Sequence, residues 1–411
     1  MRIVITSNYK VGNETGTAYV AEVLSKYLSK KHEVTYICFG KKFKVSKKIK
    51  NLIILTIPSI DISGFSFPLI TPNVIFKTFK FLNEFEPNIV HSQNTLFISN
   101  LVQIWANLNN IPFFVTFHHI PTQAVEHLLP KFKKSLFSNL VQDLYKELSL
   151  KSFLKNTDQV IALNKLVENS IRRVNSTIPV QIIGNGLDLS KLLSIKIKTD
   201  MSKNIKFIFL GSYNERKNQE FLIKTFRNLP NNWNLNLYGN LSTNVAYVEK
   251  LKSLIKKFKL KNIFLNEYEK DVTRVFKNAD FFISSSLKEA QSLAIIQSLA
   301  AARPVIGLEN ETVLELINDK NGLRCGSDIN SKQFAKKIID FVKKCNYKFI
   351  SKESRKSALQ FKIEDVVLKI ENLYEIRAKA YKSTSYSNSQ NSRRNVGKYY
   401  QEIFKRIVVK K

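Results

Sequence analysis

Cysteine is scarce in this chain. Cys38, Cys325 and Cys345 are the only three in 411 residues, and their scatter suits neither a zinc site nor a disulfide framework. A reducing compartment is expected. Long apolar runs are missing as well: none approaches the roughly 20 residues of a transmembrane helix. The opening MRIVITSN reads as a strand and lacks the apolar core of a signal peptide. Membrane contact is therefore expected only at the periphery. Acidic residues are few, 33 Asp and Glu against 65 Lys and Arg, for a formal net charge of +32. Such an excess attracts nucleic acid, anionic lipid or phosphorylated substrates, although compositional drift toward lysine would produce it too. No nucleic-acid motif is found and the basic residues are spread along the chain, so nucleic acid is not expected as a partner.

What is present suffices for real cores. Hydrophobic residues make up 44% and aromatics 11%, and the length exceeds what one core usually supports, so two domains are expected. Apolar strand patterns alternate with helical ones from the start. Residues 3–6 read as a strand, a turn carries Gly12 and Gly16, and residues 18–28 follow at helical spacing. Residues 33–39, 51–57, 88–91, 113–117, 159–163 and 180–183 continue as strands, with helices over 73–85, 98–108 and from about 164 to 174. After a Lys-, Ser- and Thr-rich stretch the pattern restarts. Strands are expected over 206–210, 234–238, 263–265, 280–284 and 304–307, with helices over 219–228, 245–258, 272–277 and 294–302. Repeated βαβ units build parallel sheets, so two Rossmann-like α/β domains are expected. The expected boundaries are 1–188, a linker at 189–204, 205–365, a helix at 366–377 returning toward the first domain, and a basic flexible tail at 378–411 ending in a short cationic helix.

In such sheets ligands bind beyond the carboxyl ends of the strands. The segment SSSLKEAQSLAIIQSLAAARPVI, residues 284–306, places a strand, a turn with Glu289 and a helix beginning near Ser292 in that order. First-turn amides and the helix dipole suit a phosphate. Gln297, eight residues beyond Glu289, is positioned to face the same pocket. The plainer alternative is a surface Glu and a solvated Gln.

This segment resembles the signature of the family-4 retaining glycosyltransferases of GT-B architecture, Glu-Gly-Phe-Gly-Leu, a second Glu eight residues after the first, then Ala-x-Gly-x-Pro-Val. Here it reads Glu289-Ala-Gln-Ser-Leu293, Gln297 and Ala301-Ala-Arg-Pro-Val305. Other motifs follow in the family's order. Thr15-Gly16 stands for Gly-Gly, Pro87-Asn-Ile-Val-His91 for Pro-Asp-x-Val-His, and Thr116-Phe-His118 for Thr-x-His. Ile183-Gly-Asn-Gly-Leu-Asp188 resembles Ile-Pro-Asn-Gly-Val-Asp. Gly211-Ser212 through Lys217 resembles Gly-Arg-x-x-x-x-Lys. The resemblance extends to about residue 375.

The resemblance implies a GT-B fold, two parallel-sheet domains facing a central cleft. It implies an acceptor site in the first domain and a nucleotide-diphosphate sugar, a UDP- or GDP-sugar, in the second. In that reading Glu289 binds sugar hydroxyls, Lys217 grips the diphosphate, the Ser292 and Leu293 amides cap phosphate, and Gln297 contacts ribose. Gly16 and His118 face the reacting centre, His118 and Glu289 being the catalytic pair. No cofactor is implied, and no metal, the sequence offering no Asp-x-Asp pattern. Three departures stand out. Gln297 replaces a Glu, Ser212 replaces an Arg whose charge Arg216 is placed to supply, and Ala290 and Ser292 replace glycines. The expected activity is hexose transfer to a lipid or envelope-glycan acceptor; the alternatives are a non-catalytic GT-B subunit binding glycan or a partner enzyme, and a sugar-nucleotide epimerase. The stretch 128–155 spaces Leu, Phe, Val and Tyr helically among lysines, and 399–411 is cationic. Both suit an anionic membrane surface, which places the protein in the cytoplasm, peripheral to the inner face of the cell membrane.

Overall fold

The computed structural model describes residues 1–13, 15–62, 65–119 and 149–387. Most of the basic stretch 128–155 and all of 399–411 lie outside the described residues. The chain divides into two compact units, Met1–Leu187 with Ile363–Lys411, and Asp188–Lys362. Among the described residues no helix is long and apolar enough to cross a membrane.

The first unit opens with β1 (Arg2–Lys10), α1 (Gly16–Leu28) and β2 (Glu33–Gly40). Thr15 caps α1 through its side chain, which accepts the Ala18 amide at 3.4 Å. Then come β3 (Lys44–Ile49), β4 (Leu52–Ile62), β5 (Phe65–Pro68), α2 (Pro72–Phe85), β6 (Ile89–Ser92), α3 (Ile98–Leu108) and β7 (Phe113–Phe117). After the gap follow α4 (Lys151–Lys155), β8 (Gln159–Ala162), α5 (Lys165–Arg172) and β9 (Val180–Ile182). The sheet order is β3-β4-β2-β1-β6-β7-β8-β9, parallel except that β3 and β5 pair antiparallel with β4. Ile3, Val4 and Ile5 are fully buried, as expected for a strand covered on both faces. The edge strand β3 is absent from the sequence reading. Its residues, KVSKKI, are too lysine-rich to show an apolar face, and lysine is what an exposed edge tolerates.

The second unit begins with α6 (Ser190–Leu193) and β10 (Lys206–Leu210), α7 (Gln219–Phe226), β11 (Asn234–Tyr238), α8 (Val245–Lys257), β12 (Ile263–Asn266) and α9 (Val272–Asn278). It continues with β13 (Phe281–Ser284), α10 (Leu293–Ala300), β14 (Val305–Leu308), α11 (Glu311–Leu316), β15 (Gly322–Cys325), α12 (Ser331–Lys344) and α13 (Tyr347–Ala358). Its six strands are all parallel in the order β12-β11-β10-β13-β14-β15. The stretch expected as a linker is packed into this unit: Lys198 Nζ lies 2.8 Å from the fully buried Asp280 carboxylate, and the Ile195 carbonyl accepts from Arg355.

A final helix, α14 (Ile363–Ser387), belongs to the first unit. Ile363, Val366, Val367, Ile370 and Tyr374 join the core built on Ile3, Ile5 and Leu24. A Cβ on Gly186 would stand 2.6 Å from Ile363 Cδ1 and 3.0 Å from Val366 Cβ, so a larger residue there would push these side chains of the helix aside. The helix runs ten residues past the expected 377, held by Tyr381 Oη donating to Asp158 at 2.5 Å and Arg377 donating to Gln159 at 2.9 Å.

Candidate active site

Strand order reverses between β10 and β13 in the second unit, and there the loops after the two strands lie side by side. The loop after β10 carries Ser212, Arg216 and Lys217; the loop after β13 carries Glu289. Hydrogen bonds join them. Ser285 Oγ donates to the carbonyls of Lys217 and Asn218 at 3.0 and 2.9 Å, and the Leu287 amide donates to the Arg216 carbonyl at 2.9 Å. Ser284, Ser285 and Ser286 are all buried, so the serine run is the inner wall of the site and not a solvated turn. Asn218 absorbs the tight end of its loop in the left-handed region, φ 54°, which asparagine tolerates better than most residues.

The loops converge on one carboxylate. Lys217 Nζ pairs with Glu289 Oε1, and Arg216 Nη1 stands 3.4 Å from Oε2 while donating to the Lys288 carbonyl at 2.9 Å. Only 10% of the Glu289 side chain is exposed. Burial raises its pKa, but the charges of Lys217 and Arg216 outweigh it, so the carboxyl titrates below its ordinary value. Gly211 makes room for this geometry, since a Cβ there would meet Lys217 Cε at 3.3 Å. The result is a fixed anion between two cations, on a strand-end ledge. It suits a ligand that is anionic at one end and hydroxylated at the other.

The loop bearing Glu289 is braced by α11, which the sequence reading passed over. The Glu289 amide donates to Glu311 Oε2 at 2.8 Å, and Thr312 Oγ1 donates to the Glu289 carbonyl at 3.3 Å. Thr312 Oγ1 also accepts the Ser292 amide at 2.9 Å. The Ser292 amide is thus already engaged inside the protein. Ser292 is the cap residue of α10, and Leu293 is its first helical residue, so of the two amides expected at a phosphate only that of Leu293 lies in the unpaired first turn. Gln297 lies half-buried on α10 and contributes no hydrogen bond to the Glu289 cluster. Ser212 is exposed, its carbonyl accepting from Gln219 at 2.9 Å. A signal for the brace was available: Asn310-Glu311-Thr312 directly after a strand is a helix cap, and Asn310 does accept the Thr312 and Val313 amides at 3.1 and 3.0 Å.

In the first unit the switch point lies between β1 and β6. Gly16 opens α1 at the surface, in the loop after β1. His118 follows β7 and is buried, its Nε2 2.8 Å from Gln93 Oε1. Gln93 Nε2 lies 3.2 Å from His91 Nε2. His91 in turn meets Thr116 Oγ1 at 2.7 Å and Tyr374 Oη at 2.6 Å. Burial pushes the pKa of both histidines down to about 3, with the charges of His119 and His91 adding to the effect at His118. Both are neutral at ordinary pH. Gln93 and Tyr374 were not singled out from sequence; nothing in spacing alone brings residue 374 to residue 91.

Comparison with known proteins agrees with this anatomy. The family described as Glycosyltransferase Family 4 matches residues 15–191, and Glycosyl transferases group 1 matches residues 190–357. An alpha-monoglucosyldiacylglycerol synthase of Streptococcus pneumoniae is 24% identical over 339 residues, covering 78% of this chain and 74% of the relative. An uncharacterized glycosyltransferase of Methanocaldococcus jannaschii is 24% identical over 378 residues, 88% of this chain and 94% of that one. Among solved structures, a sucrose-phosphate synthase of Thermosynechococcus elongatus superposes with a TM-score of 0.73 at 16% identity, covering 92% of this chain and 99% of that chain. HepE of Anabaena, solved with UDP, gives 0.71 at 14% identity, covering 91% of this chain and 100% of that chain. With two parallel-sheet units of this kind the fold is GT-B, and the chain belongs to the family 4, group 1 glycosyltransferases.

Proposed function

We propose that this glycosyltransferase moves a hexose, with retention of anomeric configuration, from a UDP- or GDP-sugar to a lipid or envelope-glycan acceptor. The observation that carries the proposal is the Lys217–Glu289–Arg216 cluster at the strand switch of the second unit. Cleaving a sugar–phosphate bond loads negative charge onto the departing diphosphate, and two fixed cations stabilise that charge without a metal ion. A diphosphate arriving at Lys217 and Arg216 frees Glu289 to accept hydrogen bonds from sugar hydroxyls. Leu293 offers a first-turn amide to phosphate, and Gln297 a neutral amide to ribose. Gly16 leaves the turn after β1 open to ligand, and His118 serves the acceptor side. In retention by front-side attack, the acceptor oxygen bonds to the anomeric carbon as the carbon–phosphate oxygen bond breaks, and the acceptor proton passes to the leaving diphosphate. Solved relatives complexed with UDP and UDP-glucose support the donor class, and the diacylglycerol-linked relative supports a lipid acceptor. The excess positive charge supports peripheral attachment to the inner face of the cell membrane.

Thermal-shift titration with UDP-, GDP- and ADP-sugars, followed by transfer assays with Glu289→Ala, tests the site. Stabilisation by one nucleotide class and loss of transfer with the fold intact are expected; full transfer by the variant would remove Glu289 from the mechanism. Flotation with anionic liposomes at low salt tests the membrane reading, which fails if no protein floats. The departures at Gln297 and Ser212 favour a second reading, a non-catalytic GT-B subunit. It prevails if no donor is turned over alone but a partner enzyme is activated by this chain.

A further inference from the structure

We propose that the turn Asn310-Glu311-Thr312 is a clip that holds the Glu289 loop in shape, and that Glu311 is the positioning residue for Glu289. The proposal rests on the reading of Glu289 as a ligand for sugar hydroxyls. Three consecutive side chains reach three points of the loop. Asn310 Nδ2 donates to the Ser286 carbonyl at 2.7 Å, Glu311 Oε2 accepts the Glu289 amide at 2.8 Å, and Thr312 Oγ1 accepts the Ser292 amide at 2.9 Å. Thr312 Oγ1 also donates to the Glu289 carbonyl at 3.3 Å. A backbone amide only donates and a carbonyl only accepts, so the direction of every one of these bonds is fixed.

The two bonds at Glu289 pin the peptide groups on both sides of its Cα. Peptide groups are planar, so pinning both sets φ and ψ and with them the direction in which the side chain leaves the backbone. Leu287, the one large apolar residue of the loop, is 53% exposed and does not anchor it by packing. The base of the clip is firm. Thr312 and Val313 are fully buried, and a Cβ on Gly307 would stand 2.9 Å from Val313 Cγ2, so α11 is seated against β14.

The two cations act differently. Lys217 and Arg216 hold the Glu289 carboxylate only until a diphosphate takes them. From then on the backbone bonds keep the carboxylate aimed. The clip therefore matters most in the donor-bound state, and it acts on the sugar end of the donor, while the cations act on the diphosphate end.

The test combines hydrogen exchange and calorimetric titration of the full-length protein, with UDP and UDP-glucose as probes, or GDP and GDP-mannose where only the guanine pair stabilises wild type. Glu311→Ala should speed exchange in segment 288–293. It should weaken the nucleotide sugar about tenfold, through the hydroxyl bond that a loose Glu289 no longer makes, and leave the bare nucleotide within about threefold. Glu311→Gln keeps an acceptor oxygen and should restore both the slow exchange and the sugar affinity. Thr312→Val, close in shape, removes the other half of the clip and should show the same split; it carries the test if Glu311→Ala does not fold. Unchanged exchange in a folded Glu311→Ala overturns the proposal, as does faster exchange with unchanged binding of the nucleotide sugar. An equal loss for nucleotide and nucleotide sugar also overturns it, since that is general damage to the unit. So does tighter nucleotide binding, because Glu311 would then be an anion competing with phosphate for the Glu289 amide. If Glu289→Ala binds the nucleotide sugar as wild type does, the reading of Glu289 falls, and exchange slowed by Glu311 would still leave the clip standing.

Discussion

Lys217→Met isolates the ion cluster. The substitution removes the cation nearest Glu289 and keeps the aliphatic stem. Glu289 and Lys217 are 10% and 13% exposed, whereas Arg216 is 38% exposed and 3.4 Å away. Stripping one partner from a buried pair destabilises by about 3–5 kcal/mol. The remaining arginine and the slight water access reduce this, and about 2 kcal/mol is expected. For a unit of this size that lowers Tm by about 4–8 °C. Glu289→Gln alone should lose little, because Lys217 can turn to solvent, and the double variant should resemble Glu289→Gln. The pH dependence gives a second handle. Burial raises the Glu289 pKa and the two cations bring it below the unfolded value. A depressed carboxyl stabilises above the unfolded pKa of about 4.3, and that stability is lost as pH falls through the folded value. Without Lys217, burial dominates and the folded pKa rises above the unfolded one. The variant then regains stability on acidification from pH 7.5 to 5, a range in which wild type is flat on this account. Calorimetry of the four proteins at both pH values decides it. If the single effects add within about 0.3–0.5 kcal/mol and the gap is equal at both pH values, Lys217 does not hold the carboxylate.

Three further outcomes are expected. Gly239→Ala puts a Cβ 2.3 Å from the Gly211 carbonyl oxygen, backbone against backbone, so unit 2 should lose about 1–3 kcal/mol and nucleotide-sugar affinity should fall with it; an unchanged melt and titration would mean the turn relaxes freely. Ala302 occupies the left-handed region, φ 58°, at the place of the glycine in Ala-x-Gly-x-Pro-Val, and Ala302→Gly should stabilise by about 0.5–1 kcal/mol, a loss of stability counting against strain there. His91 and His118 have folded pKa values of about 3, against about 6.5 unfolded. The unfolded chain therefore binds more protons between those limits, and unit 1 should lose up to about 1.4 kcal/mol per pH unit per histidine on acidification. His91→Asn should flatten that slope, and parallel pH–stability curves would contradict it.

Much of the fold is legible because burial on both faces leaves parallel strands as short apolar runs. IVI at residues 3–5, FIFL at 207–210 and FFIS at 281–284 are such runs, and each is a strand. Elements that do not need two buried faces escape this signal. The lysine-bearing edge strand β3 and the amphipathic helices α12 and α13 are of that kind. At the candidate site, local motifs singled out Glu289 and Lys217, and the two loops bring them together because the strand-to-helix turn fixes where such residues stand. Contacts made by chain return are not legible. Glu311 reaching the Glu289 amide spans 22 residues and Tyr374 reaching His91 spans 283, and no periodicity encodes either. Spacing likewise identified Ser292 as a helix start, but not that Thr312 would already take its amide.

The place where the site departs most from its family also permits the sharpest test of how it is built. Ser212 stands where a diphosphate-gripping arginine is expected, and it is exposed. Arg216, four residues on in the same loop, puts its guanidinium 3.4 Å from Glu289 Oε2. The second cation is therefore present, but it comes from another position and is anchored by the Lys288 carbonyl at 2.9 Å. If Arg216 has taken over the grip, Arg216→Ala removes a charge-assisted bond worth about 1.5–3 kcal/mol. With partial exposure favouring the lower end, UDP affinity should drop about tenfold by calorimetric titration. Ser212→Arg in that background should bring affinity back to within about threefold, because it returns a cation to the same diphosphate. Ser212→Arg in wild type should add little, one grip already being occupied. Equal gains from Ser212→Arg in both backgrounds would show two independent positions, and the replacement would then be an accident of the loop. A loss below twofold in Arg216→Ala would leave Lys217 as the sole diphosphate cation, and the second cation would serve only to hold Glu289.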